Sequence, residues 1–130
     1  YAVAGTPPEI MGIGPAVVIP KALKQAGLSV PKIDVWEVNE AFASQATYSV
    51  EKLGIHMEAE LEGGGIAIGH PLGATGARMI VTMFHELERV NGKFGVVSMV
   101  LAQAWAHAVF SKESEEIDIS QTSIKTAKTA

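Results

Sequence analysis

Between Gly63 and Arg78 the chain reads GGGIAIGHPLGATGAR, and this stretch constrains the fold more than any other. His70 is held between Gly69 and Pro71, where the backbone has little freedom. A turn of small residues then opens into an amphipathic helix. Upstream, Asn39-Glu40-Ala41-Phe42-Ala43 stands at another strand-to-helix junction. Two such strings at equivalent places in successive βα units predict a site along one edge of a sheet.

The chain has 130 residues, enough for one domain with a real core. With 48% hydrophobic and 18% charged residues it has the balance of a packed α/β domain, which argues against disorder. A net charge of −4 supplies no basic footprint for nucleic acid or an anionic membrane. The apolar runs at 63–69 and 95–110 are too short, or too broken by glycine and serine, to span a bilayer. There are no cysteines, so neither a disulfide framework nor a cysteine nucleophile or metal site can be built. The chain opens on Tyr1-Ala2-Val3-Ala4, read as the tail of a strand in a fragment of a longer protein.

Periodicity predicts a helix from Pro15 to Ala26, stopped by Gly27 and kinked or restarted at Pro20. A short strand over Ile33–Val38 follows, then a helix from Ala41 to Leu53 with Phe42, Ala46, Val50 and Leu53 on one face, closed by Gly54. The segment 55–62 is acidic and irregular. The glycine segment to Ile68 calls for close backbone approach or positive φ angles. A third helix spans Thr75–Arg89, with Ala77, Ile80, Phe84 and Leu87 inward, and Asn91-Gly92 ends it. Strands are expected at Phe94–Val100 and Trp105–Phe110. This is an α/β layer with mostly parallel early strands and a closing antiparallel one, over residues 1–110. Residues 111–130 turn to Ser, Thr, Glu and Lys and are expected to form a mobile polar tail.

Taken alone, His70 has an ordinary default as a surface or satisfied core residue, but its glycine and proline neighbours leave room for a substrate. A neutral imidazole there can take a thiol proton or donate to a developing oxyanion. Asn39 and Glu40 suit a helix start, as N-cap and first-turn acid. The alternative is that the Asn39 amide orders a water or a substrate carbonyl. The glycine run lacks the Lys-Ser/Thr ending of a phosphate loop and does not fit a dinucleotide fingerprint. His56 and His85 read as solvated, Met79 and Met83 as packing or surface, and no His/Asp/Glu cluster has metal spacing.

In their order, YAVAGTPPEIMGIGP, VNEAFASQ, GGGIAIGHPLGATGAR and FGVVSM resemble the C-terminal half of a thiolase, and the first string most resembles the degradative, peroxisomal-type 3-ketoacyl-CoA thiolases. The resemblance implies a βαβαβαββ half, one of two stacked in a five-layer αβαβα architecture, here short of its N-terminal strand. It implies acyl transfer from 3-ketoacyl-CoA to CoA, with release of acetyl-CoA in fatty-acid β-oxidation. CoA thioesters are then substrates and no cofactor is needed. The implied partners are CoA or acyl-CoA, an N-terminal thiolase half and, in the full-length protein, a second copy in a homodimer. The implied location is the peroxisome, with mitochondrion or cytoplasm as alternatives. By the same resemblance His70 activates a cysteine nucleophile carried by the other half, Asn39 holds a water in the oxyanion hole, and Ala41 and Phe42 line the pantetheine channel.

One string departs from the family. After Met99, where thiolases carry C-I-G-T-G-M-G-A, this chain has Val100-Leu101-Ala102-Gln103-Ala104-Trp105-Ala106-His107. Val100 occupies the position of the second catalytic cysteine, and valine cannot transfer a proton. One legal coding of the family string, TGT-ATT-GGC-ACA-GGC-ATG-GGC-GC, yields Val-Leu-Ala-Gln-Ala-Trp-Ala when its first base is dropped. The octet therefore reads as a compensated frameshift, and Trp105 and His107 carry little functional weight. Glu60 also replaces an Asn usual in the family. The isolated chain is expected to be inactive. The alternative function is a non-catalytic thiolase-like protein for acyl-CoA binding or dimerisation.

Overall fold

The computed structural model describes residues 1–55, 64–101 and 105–112, with Leu101 and residues 105–112 described through their backbone. His56, Glu60 and the tail from residue 113 lie outside the described residues, as does most of the acidic segment. The elements are β1 (Ala2–Gly5), a 3-10 turn (Pro8–Ile13), α1 (Gly14–Ala26), a second 3-10 turn (Val30–Lys32), β2 (Val35–Val38), α2 (Ala43–Leu53), the single turn α3 (Gly65–Ile68), α4 (Thr75–Val90), β3 (Phe94–Leu101) and β4 (Trp105–Lys112). Strand β4 continues two residues beyond the expected domain end at 110.

The four strands form one sheet in the order β1-β4-β3-β2. Strands β2 and β3 are parallel, with Val35 beside Gly95 and Val38 beside Ser98. Strand β4 runs antiparallel to both β3 and β1. Parallel strands need a crossover, and α2, α3 and α4 all lie within the one that joins β2 to β3.

The sheet is covered on both faces. Val18, Ile19, Ala22 and Leu23 of α1 and Val50 of α2 pack with Trp36, Val38 and Val96 on one side. Met79, Met83 and Leu87 of α4 pack with Val35 and Val97 on the other. Adjacent strand residues point to opposite faces, which is why Val35 and Trp36, and Val96 and Val97, serve different cores. A strand covered on both sides reads as nearly continuous apolar sequence rather than clean alternation. Each large aliphatic side chain removed from water contributes roughly 1.5–3 kcal/mol.

Three expectations of detail need correction. Helix α1 is not restarted at Pro20, whose position on the exposed face leaves the buried row of Val18, Ile19, Ala22 and Leu23 to hold the helix against the sheet. Phe42 is not on the inner face of α2: it precedes the helix in extended conformation (φ −144°, ψ 141°) and is 58% exposed. The inward stripe of α4 is Thr75, Met79, Met83 and Leu87, not Ala77, Ile80 and Phe84. Ala77 is exposed, Ile80 half-buried and Phe84 47% exposed. Helix α4 carries apolar residues on two sides, so periodicity alone cannot choose which side meets the sheet.

Seating of α4 depends on Gly95 in β3. A Cβ there would lie 2.6 Å from Met83 Cγ and 3.2 Å from Leu87 Cδ1, and would collide with Met83 Sδ. Met83 and Leu87 are both buried, so neither has room to swing away. Overpacking of this kind costs about 1–3 kcal/mol. Gly95→Ala should lower the thermal midpoint by at least about 4 °C, at several degrees per kcal/mol. An unchanged melting curve would contradict the α4–β3 packing.

Candidate functional site

The site is assembled where β2 and β3 end. The Asn39 N–H donates to the Ser98 carbonyl (2.8 Å), so the chain leaves β2 still fastened to β3. Its side chain is 1% exposed, and neither Oδ1 nor Nδ2 has a hydrogen-bond partner among the described residues. An unpaired buried polar group costs about 1–3 kcal/mol. The helix-capping alternative fails, because α2 starts at Ala43 with Phe42 in the cap position and no side-chain cap. Asn39 is thus a buried amide that does no capping.

The two strings picked out from the sequence meet here. Glu40 Oε2 accepts the N–H of Ile66 (3.2 Å). A Cβ on Gly64 would sit 2.7 Å from Glu40 Oε2, and one on Gly65 would sit 2.9 Å from Asn39 Oδ1. Only residues without a side chain let the α3 segment lie this close to Asn39 and Glu40. Close approach, rather than positive φ, is what this part of the glycine run supplies.

Gly69 then takes φ 93°, ψ 170°, which turns the chain out of α3 and into His70. The ring nitrogen Nδ1 of His70 lies 2.7 Å from Thr75 Oγ1. Thr75, the first residue of α4, also donates its hydroxyl to the Pro71 carbonyl (3.2 Å). The imidazole is tethered to the start of a helix that is itself packed on the sheet.

His70 and Val100 line the same cavity of ≈ 210 Å³, together with Leu72, Thr75, Gly76 and Met99. His70 and Val100 therefore border one space, although they are 30 residues apart in the chain. Asn39 is not among the residues lining this cavity. It joins the site through the α3 segment that leads to His70.

Of the two residues expected near the substrate, Ala41 is half-buried and Phe42 is exposed. Phe42 lines a second cavity of ≈ 330 Å³ with Ile10, Met11, Gly12, Gln45 and Tyr48. Sequence reasoning missed Gln45 and Thr75. Gln45 is 5% exposed and both ends of its amide are unpartnered among the described residues. Its signal was a polar residue one position before the buried Ala46 on the inner side of α2. Thr75 was legible only as a helix start. Behind the site, Arg78 of α4 reaches Glu37 of β2 (3.9 Å), which joins helix to sheet. Among the described residues no three His, Cys, Asp or Glu side chains are grouped to hold a metal ion.

Comparison with known proteins agrees with this architecture. The family model for the thiolase C-terminal domain matches residues 1–113. The peroxisomal 3-ketoacyl-CoA thiolase B of Rattus norvegicus is 59% identical over 113 residues, which cover 85% of this chain and 27% of that protein. The dimeric peroxisomal thiolase of Saccharomyces cerevisiae superimposes with a TM-score of 0.78 at 51% identity, covering 85% of this chain and 28% of that one. That yeast enzyme is a five-layered structure built from two core domains of identical topology. The human mitochondrial 3-ketoacyl-CoA thiolase in complex with CoA gives a TM-score of 0.82 at 42% identity, covering 86% of this chain and 29% of that one. The chain thus spans a little over a quarter of the length of these relatives, and over residues 1–113 it belongs to the thiolase family as a C-terminal domain.

Proposed function

We propose that this domain supplies the histidine side of a thiolase acyl-transfer site and has lost the proton-transfer group needed for carbon–carbon bond cleavage. The observation that carries both halves of the statement is the shared cavity of His70 and Val100. In this reading His70 takes the proton of an attacking thiol, and Asn39, a buried amide whose donors and acceptor have no partner among the described residues, orients a water toward the thioester oxygen. Ala41 and Phe42 border the path of the pantetheine arm. The substrates are 3-ketoacyl-CoA and CoA, used without a resident cofactor. The nucleophilic cysteine comes from an N-terminal thiolase half, and the assembled protein pairs as a homodimer. Peroxisomal location is supported by the rat and yeast relatives.

Thioester exchange needs a nucleophile and a base, whereas release of acetyl-CoA from a 3-ketoacyl-CoA also needs a group to protonate the acetyl-CoA carbanion. Val100 removes only the second capability. A chimera in which residues 1–113 replace the matched part of the rat relative tests this. It should exchange labelled CoA into acetyl-CoA while cleaving 3-ketoacyl-CoA no faster than background. Cleavage at the rate of the unaltered rat enzyme would overturn the assignment of Val100. Binding of acetyl-CoA without any exchange would instead favour the non-catalytic acyl-CoA-binding reading, which the absence of cysteine at position 100 also fits.

A further inference from the structure

We infer that Thr75 is a positioning residue that fixes His70 as the tautomer protonated on Nδ1, with the lone pair on Nε2. The Thr75 side chain is buried (3% exposed), and its oxygen lies within hydrogen-bond distance of two groups, His70 Nδ1 at 2.7 Å and the Pro71 carbonyl at 3.2 Å. A hydroxyl has one proton to give. The Pro71 oxygen can only accept, so when that proton goes to Pro71 the bond to the imidazole must be donated by Nδ1–H. The other arrangement, with Thr75 donating to Nδ1, gives up the Pro71 bond and leaves Nε2–H unable to receive a proton. Two hydrogen bonds against one decides between them.

Threonine suits this task in two ways. Its branched Cβ restricts χ1, and in a helix its oxygen can bond back to the carbonyl four residues earlier, which is where Pro71 lies. In addition, Nδ1–H remains a donor in both neutral and protonated imidazole. A proton can therefore arrive at or leave Nε2 without rotation of the Thr75 hydroxyl. The tautomer is a property of this chain alone. Its use as a base toward a thiol rests on the thiolase reading.

The test is a long-range ¹H–¹⁵N correlation spectrum of the 130-residue chain with ¹⁵N-labelled histidine, recorded where the imidazoles are neutral. Loss of one of the four histidine patterns in His70→Gln assigns the signals of His70. The expected result is a protonated-type shift at Nδ1 and an unprotonated-type shift at Nε2. Thr75→Val, which keeps the shape and removes the hydroxyl, should move His70 toward the Nε2–H form, and Thr75→Ser should restore the original pattern. An Nε2–H pattern in the unsubstituted chain would overturn the inference on its own, even if Thr75→Val failed to fold. An unchanged pattern in a folded Thr75→Val variant would overturn it as well. In the chimera, Thr75→Val should lower kcat for exchange with little change in KM. A correct tautomer with no exchange at all would leave the Thr75 inference standing and count against the thiolase reading instead.

Discussion

His70→Ala in the chimera is expected to lower thioester exchange by about 10²–10⁴-fold, the usual contribution of a positioned base. The fold should survive. His70 is exposed, and removing its ring deletes one hydrogen bond at a residue, Thr75, that keeps its bond to Pro71. Substitutions at such surface positions change stability by about 0.5 kcal/mol or less. A melting curve close to that of the parent, paired with the kinetic loss, separates chemistry from folding. Exchange at the parental rate in His70→Ala would remove His70 from the mechanism.

Val100→Cys should act in the opposite direction. Position 100 is 7% exposed and is among the residues that border the cavity lined by His70. A thiol there is a titratable group, whereas the valine isopropyl is not. Cleavage of 3-ketoacyl-CoA by the chimera is expected to rise from background by up to about 10²–10⁴-fold, with exchange little affected. The loss of apolar volume costs about 1 kcal/mol, too little to unfold a domain of this size. Cleavage that stays at background in Val100→Cys, but appears when C-I-G-T-G-M-G-A replaces Val100–His107, would show that the side chain at 100 is not sufficient and that the glycines of that string are required.

The legible parts of the fold were those set by local chemistry. Helix ends were marked because Gly27, Gly54 and Asn91 each take the left-handed conformation that closes a helix, with φ of 67°, 67° and 52°. The strands of the sheet were marked by apolar runs between such stops. The orientation of α4 was not legible. Met79 and Met83 compete with Ile80 and Phe84 for the inner face, and only the notch at Gly95, on a strand 12 residues downstream of Met83, decides in favour of the methionines. The site was legible as two strings but not as one contact. Nothing local announces that Gly64 and Gly65 are glycine because Glu40 and Asn39 lie against them. Thr75 was hidden for a related reason, since its helix-start chemistry is ordinary and its bond to His70 appears only once Gly69 and Gly73 have turned the intervening loop. The octet from Val100 to His107 misleads in another way: Val100 pairs with Ala106 and Leu101 with Trp105, so the altered string is still compatible with two paired strands.

The parallel pairing of β2 with β3 also has a kinetic meaning. Asp34 receives the N–H groups of Lys93 and Phe94 across 59 and 60 residues of chain, and the ladder from Val35 to Val38 closes over the same span. Loop closure of that length must be completed before any of these bonds repays it, which makes parallel pairing a slow event compared with helix formation. The Asn39 backbone is held by Ser98, at the far end of the same ladder. During synthesis both sequence strings emerge well before β3 exists to receive them. Helices α1 and α2 can form early, but the Asn39 amide and the His70 imidazole reach their arrangement only when this long-range ladder closes, so the folding barrier and the appearance of that arrangement are expected to be one event.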